Sequence, residues 1–178
     1  MNFIKKFFLE WKIKQALHAQ KGTKRQTPNY DEAESIGVLL KTNQPEMLPA
    51  LQKLMNQLSK DNKKVNILVY VPAKESVLDF GFQHYTFTEK EIDNWGNINL
   101  EVVETFINQP FDFLFCISKE EELVFQYVLA KCKAKCRIGK FSDNNASFYE
   151  MRIAMKLSED IDIFIQNALH YTQSIIYN

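Results

Sequence analysis

The chain has 178 residues, 46% of them apolar and 25% charged, with Lys and Arg balancing Asp and Glu at a formal net charge of zero. That composition excludes an intrinsically disordered chain, and the length is that of one ordinary domain, able to bury about 70% of its unfolded surface. The zero is a cancellation: residues 1–25 hold seven Lys or Arg against one acid, Glu10, for +6, so the remainder carries −6. A basic head of this kind suits a polyanionic partner.

Residues 3–19 read as a basic helix, with Ile4, Phe7, Phe8 and Trp11 spaced by three and four along one face. The polar stretch Gln20 to Tyr30, with Gly22 and Pro28, reads as a linker, dividing the chain into a helix and linker at 1–30 and a single α/β domain at 31–178. Ser35 to Lys41 is the first expected strand. Met47, Leu48, Leu51, Leu54, Met55 and Leu58 then recur at helical spacing, with Asn43 as a cap and Pro45 in the first turn. Val65 to Val71 is the second strand.

Phe80 to Thr88 is rich in aromatics and is assigned to a strand, followed by a capping-box pattern, Thr88-x-x-Glu91, and a turn at Trp95-Gly96. Leu100 to Asn108 reads as a short helix stopped by Pro110. Phe111 to Ile117 is a continuous apolar run, the mark of a strand buried on both faces. Ser118-x-x-Glu121 has the form of another capping box, opening a helix that carries Leu123, Val124, Tyr127 and Val128. Cys136 to Phe141 is a strand, and alternation from Tyr149 to Leu157 predicts an edge strand, which is allowed to be antiparallel. Ile161, Phe164, Ile165, Ala168, Leu169 and Ile176 make a final amphipathic helix. Strands alternating with helices predict a Rossmann-like three-layer α/β sandwich with a mainly parallel sheet.

Such sheets bind ligands at the carboxyl ends of their strands, which nominates Lys41 and Thr42 after the first strand, Ser118 after the apolar strand, and His84 as a ring base. The phosphate motifs that need glycine are missing, since neither GxGxxG nor GxxxxGK[ST] occurs, and no cofactor is expected. Cys132 and Cys136 lack a second ligand pair, and His18, His84 and His170 are scattered singly, so no metal site is expected and the thiols read as small buried hydrophobes. Three sparse cysteines with no signal-peptide pattern ahead of them fit a reducing cytoplasm. Glu120, Glu121 and Glu122 suit the first turn of a helix, where negative charge complements the dipole, better than general acid-base work. Asp79-Phe80-Gly81 shares only letters with a kinase metal-binding tripeptide.

The segment MLPALQKL after IGVLLK, with FDFLFCIS and AKCRIGKF further on, is similar to the N-terminal half of heptosyltransferase-like GT-B glycosyltransferases. The whole chain more closely resembles a family of short, uncharacterised bacterial proteins with an IGV strand, a DFG-aromatic segment, an FD-apolar strand and an A-x-x-RIG strand, here Gly37, Asp79 to Phe82, Phe111-Asp112 and Ala134 to Gly139. The transferase resemblance implies a sugar-nucleotide ligand, but Lys41-Thr42-Asn43 stands in place of the Gly-Asp turn with its catalytic acid, and no counterpart of the transferases' C-terminal domain is expected within these 178 residues. No catalytic residue carries over.

The expectation is a non-catalytic binding or assembly module, in the cytoplasm or peripheral to the inner membrane, with a transferase-related nucleotide-sugar binder as the alternative. Lys5, Lys6, Phe7, Phe8, Trp11, Lys12 and Lys14 form the nominated surface, because basic residues interleaved with aromatics resemble a helix lying on anionic lipid. The same helix docked on its own domain or on a protein partner such as a second subunit, with its lysines in water, is the favoured reading, and the anionic membrane surface comes second. Nucleic-acid binding through Lys5, Lys6, Lys12 and Lys14 is the least favoured.

Overall fold

The computed structural model describes residues 1–22, 25–42, 45–72, 79–155 and 160–175. Its elements are α1 (Phe3–Ala19), β1 (Ser35–Lys41), α2 (Leu48–Lys60) behind a 3-10 turn at Pro45–Met47, β2 (Lys64–Val71), β3 (Tyr85–Thr88), α3 (Glu101–Asn108), β4 (Phe113–Ile117), α4 (Leu123–Lys131), β5 (Cys136–Lys140), β6 (Met151–Ile153) and α5 (Ile161–Gln173). The six strands form one sheet in the order β3-β2-β1-β4-β5-β6, and every pairing is parallel. This is the doubly wound order, with its reversal between β1 and β4. The strand sequences explain why the sheet is covered on both sides: SIGVLLK and FLFCI are apolar at nearly every position, as parallel strands under two helical layers must be.

Alternate side chains of each strand feed two cores. Leu39, Leu68, Leu114 and Cys116 point to a layer made by α1, α3 and α4, while Val38, Leu40, Val69, Phe115 and Ile138 point to α2 and α5. Two strand glycines are places where a ring comes close to the backbone. A Cβ on Gly37 would come within 2.9 Å of the Phe111 ring, and one on Gly139 would clash with the Tyr149 ring. Helix α2 ends on Asn62 in the left-handed region, φ 57°, where Lys63 N–H donates to Leu58 O at 2.9 Å.

Several elements differ from the sequence reading. The strand expected from Phe80 begins at Tyr85, because Gly81 turns the chain at φ 71° and its N–H donates to Asp79 Oδ1 at 2.9 Å. The last strand is parallel, and among the described residues it is confined to Met151–Ile153; Lys156 and Leu157 lie outside them, as do the Asn43 cap and Ile176. Helix α4 opens at Leu123, with Glu122 rather than Ser118 at its N-cap, since the Ser118 hydroxyl closes a turn on Glu120 instead. The capping box at Thr88 and Glu91 does form, over a single 3-10 turn.

Asp112, just ahead of β4, fixes the amino ends of the central strands. One carboxylate oxygen accepts the N–H groups of Glu34 and Ser35 at 2.9 and 3.0 Å, and the other accepts Lys135 Nζ at 2.7 Å. Burial by itself would raise this carboxyl, but the bonds from Lys135, Ser35 and Glu34 hold it below its ordinary value. A depressed carboxyl contributes stability above its unfolded pKa of 3.8 and loses it as pH falls through the folded value. Asp112→Asn should therefore cost about 1–3 kcal/mol at neutral pH. In urea titrations the gap from wild type should close as pH drops below 3.8.

Candidate functional site

The crevice between β1 and β4 is where this topology offers a ligand site, and the chain fills it with its own groups. Lys41, the last residue of β1, directs Nζ to Glu122 Oε1 at 2.6 Å and Glu120 Oε2 at 3.2 Å, across to the start of α4. Burial alone would lower this ammonium, yet the bonds and charges of Glu122 and then Glu120 raise it above its ordinary value. Ser118 Oγ donates to Glu120 O at 2.8 Å and accepts Glu120 N–H at 3.2 Å, so the hydroxyl is spent on its own loop. Thr42 is buried, and its N–H donates to Tyr70 O at 3.2 Å. Lys119 pairs with Glu46 at 3.7 Å over the same opening.

A pocket of about 80 Å³ survives beside this loop, lined by Glu121, Phe125, Lys140, Asn145 and Tyr149 among others. Several of its polar groups are likewise occupied: Ser142 Oγ donates to Glu121, Lys140 Nζ donates to Lys119 O at 3.0 Å, and Asn145 Nδ2 donates to Lys140 O at 2.7 Å. That volume suits a few waters and falls well below the roughly 300–1,000 Å³ of a small-molecule site. His84 is not brought to this crevice. It stands at the amino end of β3, two strands from β1, with its ring against Phe80 and Phe82 and Nδ1 2.9 Å from Phe82 O.

The three thiols are buried hydrophobes. Burial pushes Cys116 up to about 12 and Cys136 up to about 11, and raises Cys132 as well. None is poised as a thiolate at neutral pH. Among the described residues no group of three His, Cys, Asp or Glu side chains is placed to hold a metal ion, and no helix is long and apolar enough to cross a membrane.

The second nominated surface, on α1, is organised by a feature that the sequence reading missed. Asn2 caps the helix, its side chain accepting Lys5 N–H at 2.9 Å. The helix docks through Leu9 and Ile13, supported by Ala16 and Leu17, against α4 and the Ile92 to Ile98 segment. Residues two apart on a helix lie about 200° around it, so burying Leu9 and Ile13 turns Phe7 and Trp11 outward. Phe3 is 82% exposed, Ile4 57%, Phe7 56% and Trp11 47%. Phe8 is half-buried at the border, its ring centroid 5.2 Å from that of Trp95. Lys5 turns back to donate to Ile92 O. Lys6 lies on one flank of the outward face, paired loosely with Glu10 at 3.9 Å, Lys12 lies on the other, and Lys14 follows the aromatics one turn on. The missed stripe was legible as Leu9, Ile13, Ala16 and Leu17, also spaced by three and four, in competition with the more conspicuous aromatics.

Two outcomes test the filled crevice. A panel of nucleotides and sugar nucleotides should leave thermal unfolding unchanged, whereas a ligand at a hundred times its dissociation constant would add about 2.7 kcal/mol. Lys41→Met should cost about 1–2 kcal/mol by stranding Glu122 and Glu120. Because the folded Lys41 value is raised, that contribution is present in full at neutral pH and disappears only above 10.5, which urea titrations across pH would show.

No curated protein and no solved structure matches the chain significantly. One family does match, and it spans nearly everything described above, from the docked α1 to the end of α5: over residues 5–175 the chain belongs to the Family of unknown function (DUF6913).

Proposed function

We propose that this protein is a non-catalytic module that attaches to the anionic, cytoplasmic face of a membrane through the outward side of α1. One observation carries the reading: α1 is apolar on two opposite sides, and among the described residues only the side bearing Leu9 and Ile13 is covered. The apolar stripe of a surface helix normally faces the core. Phe3, Ile4, Phe7 and Trp11 therefore form a face in want of an apolar phase, and Lys6, Lys12 and Lys14 around it select a negatively charged one. Each lysine near an anionic leaflet contributes about 1 kcal/mol. The self-satisfied crevice between β1 and β4 supports the non-catalytic part, since Lys41 and Ser118 are already committed to the chain's own groups.

Deleting α1 is not a clean test, because Leu9 and Ile13 belong to the core. Phe7→Ser combined with Trp11→Ser alters only the exposed face and should leave far-UV circular dichroism and the unfolding midpoint unchanged. Flotation with phosphatidylcholine vesicles, with and without phosphatidylserine, should show binding of the wild type to the anionic vesicles alone. The double variant should bind them roughly thirtyfold or more weakly, from about 2 kcal/mol of lost apolar burial. Equal flotation of variant and wild type would sink the proposal. So would a wild type that never floats but sediments as a dimer that the double variant splits, which would assign the face to a second copy of the chain.

A further inference from the structure

Trp95 is 64% exposed, second only to Phe3 among the large apolar side chains of the described residues, and it lies outside α1, on the turn between β3 and α3. An exposed indole on a loose loop would need no explanation, but this turn is held on every side. Asp93 Oδ1 accepts the N–H groups of Trp95 and Asn97 at 2.9 and 2.8 Å, and Oδ2 accepts Asn97 Nδ2 and Asn99 Nδ2 at 2.8 and 3.0 Å. The backbone closes as well, with Asp93 N–H on Asn97 O at 2.9 Å and Gly96 N–H on Asp93 O at 3.2 Å. The turn fixes the indole in the open instead of burying it.

The same turn is the seat of α1. Gly96 has φ 70°, and a Cβ there would lie 2.6 Å from Leu9 N and 2.8 Å from Phe8 C, so the helix backbone rests directly on the glycine. Lys5 reaches the adjoining Ile92 carbonyl. From Trp95 the rings run on without a gap: Trp95 to Phe8 at 5.2 Å and Phe8 to Phe7 at 5.6 Å, both edge to face. Phe7 then leads to Trp11 one turn along α1. The ring contacts thus run from Trp95 on the β3–α3 turn through Phe8 to Phe7 on the helix, and Trp11 stands one turn beyond Phe7. Trp is the side chain best suited to the boundary of lipid and water, where its ring is buried and its N–H stays wet.

We infer that the membrane-binding surface is a composite of α1 and the Asp93–Asn97 turn, which meets anionic phospholipid with α1 still docked and places Trp95 in the interface together with Trp11. The inference rests on the membrane reading above and adds to it that the folded domain, rather than a released helix, is what binds. Release would be opposed by the core, because it would expose Leu9 and Ile13, which are 0% and 4% exposed in the docked state.

The chain has two tryptophans, which makes the test direct. Trp11→Phe leaves Trp95 as the sole reporter, and Trp95→Phe leaves Trp11. On titration with phosphatidylcholine–phosphatidylserine vesicles, both single-tryptophan proteins should show a blue-shifted emission and be quenched by brominated acyl chains. Trp95→Ser should weaken binding about tenfold. Hydrogen exchange on the vesicles should keep the α4 amides, Leu123 to Lys131, as protected as in solution. If the protein floats and Trp11 shifts while Trp95 does not, or if α4 loses protection, the composite surface is wrong and the membrane reading stands. If neither indole shifts and nothing floats, the membrane reading itself falls and takes the composite surface with it.

Discussion

A single buried guanidinium ties together the half of the molecule that presents α1. Arg137 sits in the middle of β5, 4% exposed, and its carboxylate partner Glu150 arrives from the segment ahead of β6. Nε and Nη2 meet the two Glu150 oxygens at 3.0 and 2.7 Å, while Nη1 donates to Leu129 O of α4 at 2.8 Å and Nη2 also reaches Ser147 O. Glu150 in turn accepts the Arg137 N–H, so one pair fixes strand, helix and loop together. Ions taken out of water cost several kcal/mol each, and a pair of this kind persists where every remaining donor finds an acceptor. The arrangement extends to the N-terminal segment: Arg25 lies 3.7 Å from Glu150, donates to Ala134 O and Cys132 O, and shares Gln20, whose amide holds Ala130 O. The polar stretch after α1 is in this way fastened to α4 by the Gln20 amide and to the α4–β5 connection by charge-assisted bonds from Arg25 to backbone carbonyls, and α1 has a fixed place from which to show one side.

The motifs on which the family resemblance rests turn out to have structural work. Gly37 admits the Phe111 ring and Gly139 the Tyr149 ring. Gly81 makes the turn that Asp79 caps, Asp112 gathers the amino ends of β1 and β4, and Arg137 anchors β5. Each of these residues is engaged with the chain's own backbone or side chains. Function is therefore sought where side chains are left over, and on the outside of α1 and at Trp95 the leftover chemistry is aromatic and basic.

The central strands and long helices were readable because their patterns are strong and local. Continuous apolar runs mark strands covered on both faces, and the recurring leucines of α2 mark a helix on the outside of that sheet. The edges were not. β3 and β6 have four and three residues, too few for alternation to separate a strand from a turn, and their direction depends on how the chain returns to the preceding strand, which no local pattern gives. Ser118 illustrates the same limit at a single residue. Its spacing to Glu121 fits a capping box, but Lys41, 77 residues earlier, draws Glu120 and Glu122 toward the end of β1, and the helix begins one turn later.

For α1 the sequence alone was enough to determine a helix, its basic charge and its two apolar stripes, because helix periodicity is a property of consecutive residues. It could not say which stripe would be spent on the core. That choice was made by shape: Gly96 and α4 offer a seat on which the helix backbone comes close over Leu9 and Ile13, and the larger rings at Phe7 and Trp11 are turned away. Which residues of this protein are free to meet a partner was decided by packing between segments about 90 to 120 positions apart, a relation that no local pattern encodes.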